Sequence, residues 1–147
     1  MRSCTHIFQQ HDSLRVQQGD LVLTYALSSQ LSFSYNGTVQ YRQFRGETGW
    51  GDYNAWWGSA LYVNLDPAPW FGMTLRGEYF GDKKALIGFN GNVFETTLSS
   101  NFKIDNLTII PELRLDNGDV ESDLFVNKSG SLKKTTVSAL LAAVYKF

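Results

Sequence analysis

Apolar and polar residues alternate with a period of two along most of the chain, and no segment sustains the i, i+3, i+4, i+7 stripe of an amphipathic helix. This predicts an all-β protein. The alternation marks seven strands, at residues 20–27, 30–42, 56–65, 70–80, 93–104, 107–116 and 134–147. Several are longer than the five or six residues usual in soluble sheets. The connections at 28–29, 43–55, 66–69, 81–92, 105–106 and 117–133 are alternately short and long. An antiparallel up-and-down meander with tight turns at one end and long polar loops at the other is the layout of a transmembrane β-barrel. If the last strand runs toward the periplasm, every short turn is periplasmic and every long loop external.

Successive side chains of a strand point to opposite faces, so each strand divides into two sets. In 70–80 the apolar set is Phe71, Met73, Leu75, Gly77 and Tyr79, and the other carries Thr74, Arg76 and Glu78. In 93–104 Phe94, Leu98, Phe102 and Ile104 oppose Glu95, Asn101 and Lys103. In 30–42 Phe33, Tyr35, Val39 and Tyr41 oppose Gln30, Asn36, Gln40 and Arg42. The apolar set of all seven strands contains no charged residue. WWGSALYVNL is apolar in both phases, and Trp57, Ser59, Leu61, Val63 and Leu65 are assigned to the apolar face because Asn64 then joins the polar one.

Alternation alone does not say which face meets the centre, because a soluble carrier of lipophilic ligands has the same pattern turned inside out. Aromatic spacing favours a membrane. Phe33 and Tyr41, Phe71 and Tyr79, and Phe94 and Phe102 are each eight residues apart. At about 3.3 Å per residue and about 40° of tilt, eight steps cover on the order of 20 Å, close to the separation of two interfacial aromatic girdles. Phe33, Tyr41, Phe71, Leu75, Tyr79, Phe94, Phe102 and Tyr145 are therefore expected to face lipid. Arg42, Arg76, Glu78, Glu95, Lys103, Glu112 and Arg114 are expected to line a wet lumen, with Arg76 beside Glu78, Glu95 with Lys103, and Glu112 with Arg114.

Composition narrows the alternatives. With 13 Lys and Arg against 14 Asp and Glu there is no basic field for nucleic acid. Only 18% of residues are charged and 14% are aromatic, which excludes a disordered chain. The single cysteine, Cys4, allows neither an internal disulfide nor a cysteine metal site. No window approaches the roughly 18 to 20 apolar residues of a membrane-spanning helix. The opening MRSCTHIFQQHDS lacks the apolar core and cleavage site of a secretory signal. Residues 1–17 are accordingly expected to be an unpatterned loop or a spurious start, and 18–147 a barrel segment. An alternative makes residues 7–17 an eighth strand.

The closing TTVSALLAAVYKF resembles the C-terminal assembly signal of bacterial outer-membrane proteins, with Leu141, Tyr145 and Phe147 as its apolar and aromatic positions. The runs ALYVNLDPAPWFGMTLRGEYFGDKK and VFETTLSSNFKIDNLTIIPELRLDN, with AAVYKF, resemble the C-terminal portion of the β-barrel porins of the OmpL-like group, common in Bacteroidetes. The resemblance implies an outer-membrane location and a porin-like role, with lipid, the barrel-assembly machinery and further strands of a longer barrel or another chain as partners. It transfers no catalytic residue and no cofactor. Such porins are several hundred residues long and single-chain bacterial barrels have an even number of strands, so this chain is expected to be a C-terminal part.

Other motifs carry less. His6 and His11, the only histidines, lie in the unpatterned start and give little basis for a metal or hydrolase site. Glu47 and Asp52 sit in GETGWGD, a Gly-rich loop that neither fixes a carboxylate pair nor ends like a phosphate loop. Asn36, Asn106 and Asn127 open glycosylation-like triplets at chance frequency. Lys83, Lys84 and the run 116–134 read as solvated loops that could touch sugars, phage or neighbouring chains. Pro111, mid-strand, predicts a bulge or a locally unpaired ladder. Glu112, Arg114 and Asp116 share the polar face and form either an array that tunes ion selectivity or lumen charges paired with neighbours such as Glu95 or Lys103. The leading expectation is a non-enzymatic passive porin. Its rivals are a soluble carrier of a lipophilic ligand and a non-conducting outer-membrane scaffold.

Overall fold

The computed structural model describes residues 2–10, 13–88, 90–119, 125–126 and 128–147. They form β1 (Arg2–Gln10), β2 (Leu14–Ala26), β3 (Leu31–Gly46), β4 (Gly49–Trp50), β5 (Asn54–Ala68), β6 (Phe71–Asp82), β7 (Gly91–Ile104), β8 (Leu107–Gly118) and β9 (Thr135–Tyr145). The long strands pair antiparallel with their chain neighbours in a single sheet, and the two-residue β4 folds back onto the end of β3. β1 and β9 are the edges of this open sheet.

The all-β meander matches the alternation, with one long strand more than expected. Residues 1–17 are not an unpatterned loop: Arg2–Gln10 pairs with β2 in continuous register from Arg2 opposite Leu23 to Gln10 opposite Arg15. The backbone makes these bonds whatever the side chains, and Gln9, Gln10, Gln17 and Gln18 obscure the alternation there. The single strand considered for 7–17 is instead split by the β1–β2 connection. His11 lies outside the described residues, as do Asn127 and residues 120–124 of the run 116–134.

Register carries side-chain parity across the sheet. Tyr25, Phe33, Val63, Leu75, Leu98, Leu113 and Ala139 lie opposite one another in succession from β2 to β9. The neighbouring polar row runs Thr24, Ser34, Tyr62, Arg76, Thr97, Arg114 and Ser138. Trp57, Leu61, Val63 and Leu65 sit in apolar rows, as assigned, whereas Trp56 joins the polar face and donates its Nε1–H to Gln40 at 3.0 Å.

Burial is inverted relative to a water-soluble domain. Ala60 is the one buried hydrophobic residue among those described, while the buried polar residues are Asp82, Glu95, Thr97 and Asp116. Leu75, Leu113 and Val137 are 47%, 59% and 70% exposed, against 6% for Glu95. Side chains crowd on the inside of a bend and splay on the outside, so the sheet curls with its polar face concave and its apolar face convex. An apolar surface running across the seven long strands from β2 to β9 far exceeds what a water-facing protein exposes.

Two prolines mark irregularities. The expected 66–69 turn is partly strand: β5 continues through Asp66 and Pro67, with a register shift between Leu65 opposite Met73 and Ala68 opposite Phe71. At Pro111 the β7–β8 ladder is interrupted between Ser99 opposite Glu112 and Phe102 opposite Ile109, and the register is the same on both sides. Of the two outcomes Pro111 predicts, the unpaired ladder is therefore the one formed. Pairing of Pro111 with Leu141 on β9 is kept, so the missing N–H faces β7.

Replacing Pro111 by Val should restore a ladder bond and stabilise the sheet by about 0.5–1.5 kcal/mol. Urea unfolding followed by heat-modifiable gel mobility checks this. Destabilisation would mean that the gap has another cause.

Candidate functional site

The densest chemistry lies on the concave face at the centre of β6, β7 and β8. Glu78, Glu95 and Asp116 are laterally aligned carboxylates. In the adjacent row Arg76 and Arg114 flank Thr97. Antiparallel pairing sets acids and guanidiniums in register because each charged residue keeps the same parity on its strand.

The groups form one connected chain of ion pairs. Arg76 Nη2 is 3.2 Å from Glu78 Oε2 and also bonds Glu95 Oε1. Glu95 Oε2 lies 2.6 Å from Arg114 Nη2, whose Nε donates to Asp116 Oδ1 at 2.8 Å. Thr97 Oγ1 donates to Glu95 Oε1 at 3.0 Å. Glu95 is thus the centre of the ladder, holding both arginines. Three carboxylates against two guanidiniums leave one negative charge.

The structure gathers some of the expected lumen residues and separates others. Arg76, Glu78, Glu95 and Arg114 come together, and Asp116 joins them. Of the partners weighed for Arg114, Glu95 is the one it bonds, and not Lys103; Arg114 also bonds Asp116, and Glu95 also bonds Arg76. Lys103 lies near the short-turn end, 3.9 Å from Asp66. Glu112 is opposite Ser99 and Leu140 and belongs to none of the described ion pairs. Sequence spacing reports parity but not which of several same-face charges will be nearest across strands. Arg42 sits higher on the same face, where its Nε donates to Gln40 Oε1 at 2.6 Å.

Sequence reasoning missed a polar chain on β2, β3 and β5. Gln18 Nε2 and Thr38 Oγ1 both donate to Asp20, at 3.0 and 2.6 Å. Gln40 Nε2 donates to Gln18 Oε1 at 2.7 Å. It also missed Asp82, which is wholly buried. An aspartate at a strand end before a loop is a familiar turn anchor, and that signal was present in GDKK.

On the convex face the aromatic pairs of β6 and β7 share rows, whereas Phe33 and Tyr41 on β3 do not fall in those rows. Phe71 lies opposite Phe102 with ring centroids 5.1 Å apart, and Tyr79 opposite Phe94. Trp57 stacks on Tyr79 at 5.1 Å. Phe33 is in the Leu75 row, Tyr41 is opposite Ala55, and Tyr145, opposite Leu107, meets Phe147 edge-on just past β9. Leu141 faces Pro111. Among the described residues no group of His, Cys, Asp or Glu is arranged to hold a metal ion.

Long antiparallel strands, apolar on the convex side and charged on the concave side, define a β-barrel protein of the porin type. Residues 9–147 match the family described as putative beta-barrel porin-2, OmpL-like, and the chain belongs to that family. No curated protein and no solved structure matches it.

Because Glu95 neutralises two partly buried guanidiniums, Glu95→Gln should cost about 2–4 kcal/mol. Glu112→Gln should change stability by no more than about 0.5 kcal/mol. Paired urea midpoints check the contrast, and equal effects would overturn the central role given to Glu95.

Proposed function

We propose that the chain forms wall of an outer-membrane pore through which small hydrophilic solutes or ions diffuse passively, with no chemistry of its own. The observation that carries this reading is the inverted burial: charge and amide groups on the concave face, uncharged apolar side chains on the convex one. Water and solutes follow the concave side, where Gln, Asn, Ser, Thr, Arg and Glu keep them hydrated. Leu, Val, Phe and Tyr contact lipid, and the rows around Phe71–Phe102 and Tyr79–Phe94 sit at its two interfaces. A carrier of lipophilic ligands needs the opposite arrangement, a greasy concavity, and so fits less well.

In lipid every backbone polar group needs a partner, so the free edges of β1 and β9 call for more strands, from a longer barrel or from another chain. We read the sheet as part of such a barrel, and the closing strand with Leu141, Tyr145 and Phe147 as the segment offered to the assembly machinery.

Detergent dependence and liposome permeability test the reading directly. The protein should need detergent to stay monodisperse and should admit small sugars to liposomes; a monodisperse protein in plain buffer would sink it. Leu75→Arg, on the convex face, should cost about 2–4 kcal/mol in bilayers, whereas Thr74→Arg on the concave face is tolerated. Equal tolerance would reverse the assignment of faces.

The excess carboxylate predicts a mild preference for cations. In planar bilayers, Arg76→Glu and Arg114→Glu should each increase that preference, read as a shift in reversal potential under a salt gradient. Unchanged conductance and reversal potential in both would remove the ladder from the ion path.

A further inference from the structure

We propose that the convex face carries a site for one phosphate-bearing lipid, with the headgroup held by Arg15 and Arg45 beside Trp50 and an acyl chain laid along a recess over β2, β3 and β5. The inference rests on the reading that this face meets lipid, and it adds a particular lipid to it.

The headgroup end stands just past the apolar band. Arg15 lies opposite Gln43, and Arg45 opposite Trp50. Gln43 and Arg45 keep the parity of Tyr41 on β3, so all four share the convex face at its long-loop end. At about 3.3 Å per residue and about 40° of tilt, Gln43 and Arg45 stand on the order of 5 to 10 Å beyond Tyr41. Tyrosine favours the membrane interface, and a charge a few ångströms beyond it is at headgroup depth.

These arginines lack an anion. The guanidinium carbon of Arg15 is 4.0 Å from the centroid of the Trp50 ring, and that of Arg45 is 5.8 Å away. An indole face attracts both cations but neutralises neither. Glu47 and Asp52 lie in the same connection, yet neither they nor the two arginines belong to a described ion pair. Arg15 Nε is a buried donor without a partner. Two cations drawn to one ring repel each other, and an anion with several acceptor oxygens relieves this. Phosphate is such an anion, and guanidinium groups bind it through paired hydrogen bonds.

Toward the short turns the same face is recessed. A hollow of about 530 Å³ has Gly19 and Leu21 of β2, Val39 of β3 and Trp57 of β5 in its walls, together with Cys4. Gly19 keeps it open, because a Cβ there would meet only Val39 Cγ1, at 4.0 Å. Tyr35, also at the wall, lies across Gly37, and its hydroxyl accepts a hydrogen bond from Ser59 Oγ at 3.1 Å. Asp20 borders the hollow from the opposite parity, and its carboxylate is taken up by Gln18 and Thr38. A second hollow of about 500 Å³, with Leu23, Tyr25, Phe33 and Leu61 in its walls, meets the first at Tyr35. From Val39 to Phe33 the recess follows β3 for on the order of 20 Å. It therefore continues, along the strands that carry Arg15 and Arg45, as an apolar bed for an extended chain.

The test holds the full chain in mixed micelles of equimolar phosphatidic acid and phosphatidylcholine and counts retained lipid by native mass spectrometry. The unaltered protein should retain phosphatidic acid several-fold over phosphatidylcholine. Arg15→Met and Arg45→Met should each remove most of that preference, and Arg45 is exposed, so its variant is expected to fold. Gly19→Leu, which fills the hollow and leaves both arginines in place, should also weaken retention. Equal retention of the two lipids by the unaltered protein, or a preference that survives both methionine variants, would overturn the proposal. So would a preference that inorganic phosphate displaces and Gly19→Leu leaves unchanged, because that marks a phosphate site without a chain. Sugar uptake into liposomes should be the same in all variants, since the site is on the face away from the concave side. A chain that stays monodisperse in buffer and retains neither lipid would sink the membrane reading and this site with it.

Discussion

The two-residue period of an extended chain, carried unbroken from strand to strand by antiparallel pairing, is the constraint on which the rest of this protein depends. A slip of one residue would send every side chain of a strand to the opposite face. Here the parity holds from Tyr25 on β2 to Ala139 on β9. The two places where pairing lapses are harmless to it. The shift after Leu65 falls at the end of β5, beside the turn, and the gap at Pro111 leaves the register of β7 and β8 unchanged.

Once parity is fixed, curvature gives the faces unequal environments. The concave side draws polar groups together, so Glu95 is nearly hidden while its partners keep some contact with water. An isolated carboxylate so buried would be costly, and two guanidiniums and a threonine hydroxyl offset that cost. The convex side spreads its leucines, valines and aromatics where only an apolar solvent would favour them. The same sheet thus presents two solvents with the surface each requires, which is the physical content of the porin assignment.

Much of this was legible in the residues. Phe71, Leu75 and Tyr79 against Arg76 and Glu78 fixed both the strand and its faces, and seven of the eight long strands follow from such patterns. β1 did not, because an edge strand with glutamines around its turn has little alternation to show although its backbone pairs fully. Arg76, Glu78, Glu95 and Arg114 were legible as candidates, since parity put them on one face. Their connections were not, because the arginine nearest to Glu95 depends on which strands are neighbours and in what register.

What the sequence by itself determined is local: an alternation that repeats every two residues dictates extended strands, an uncharged face and a charged one, and the order in which tight turns and long loops follow. Only the tertiary structure decided which charges meet, that the polar face is the concave one, and that Asp82 and Arg42, on different strands, both bond the backbone of the β6–β7 loop. These depend on register and curvature across strands far apart in the chain. No short-range pattern encodes such distances, because they arise only when the strands are laid side by side.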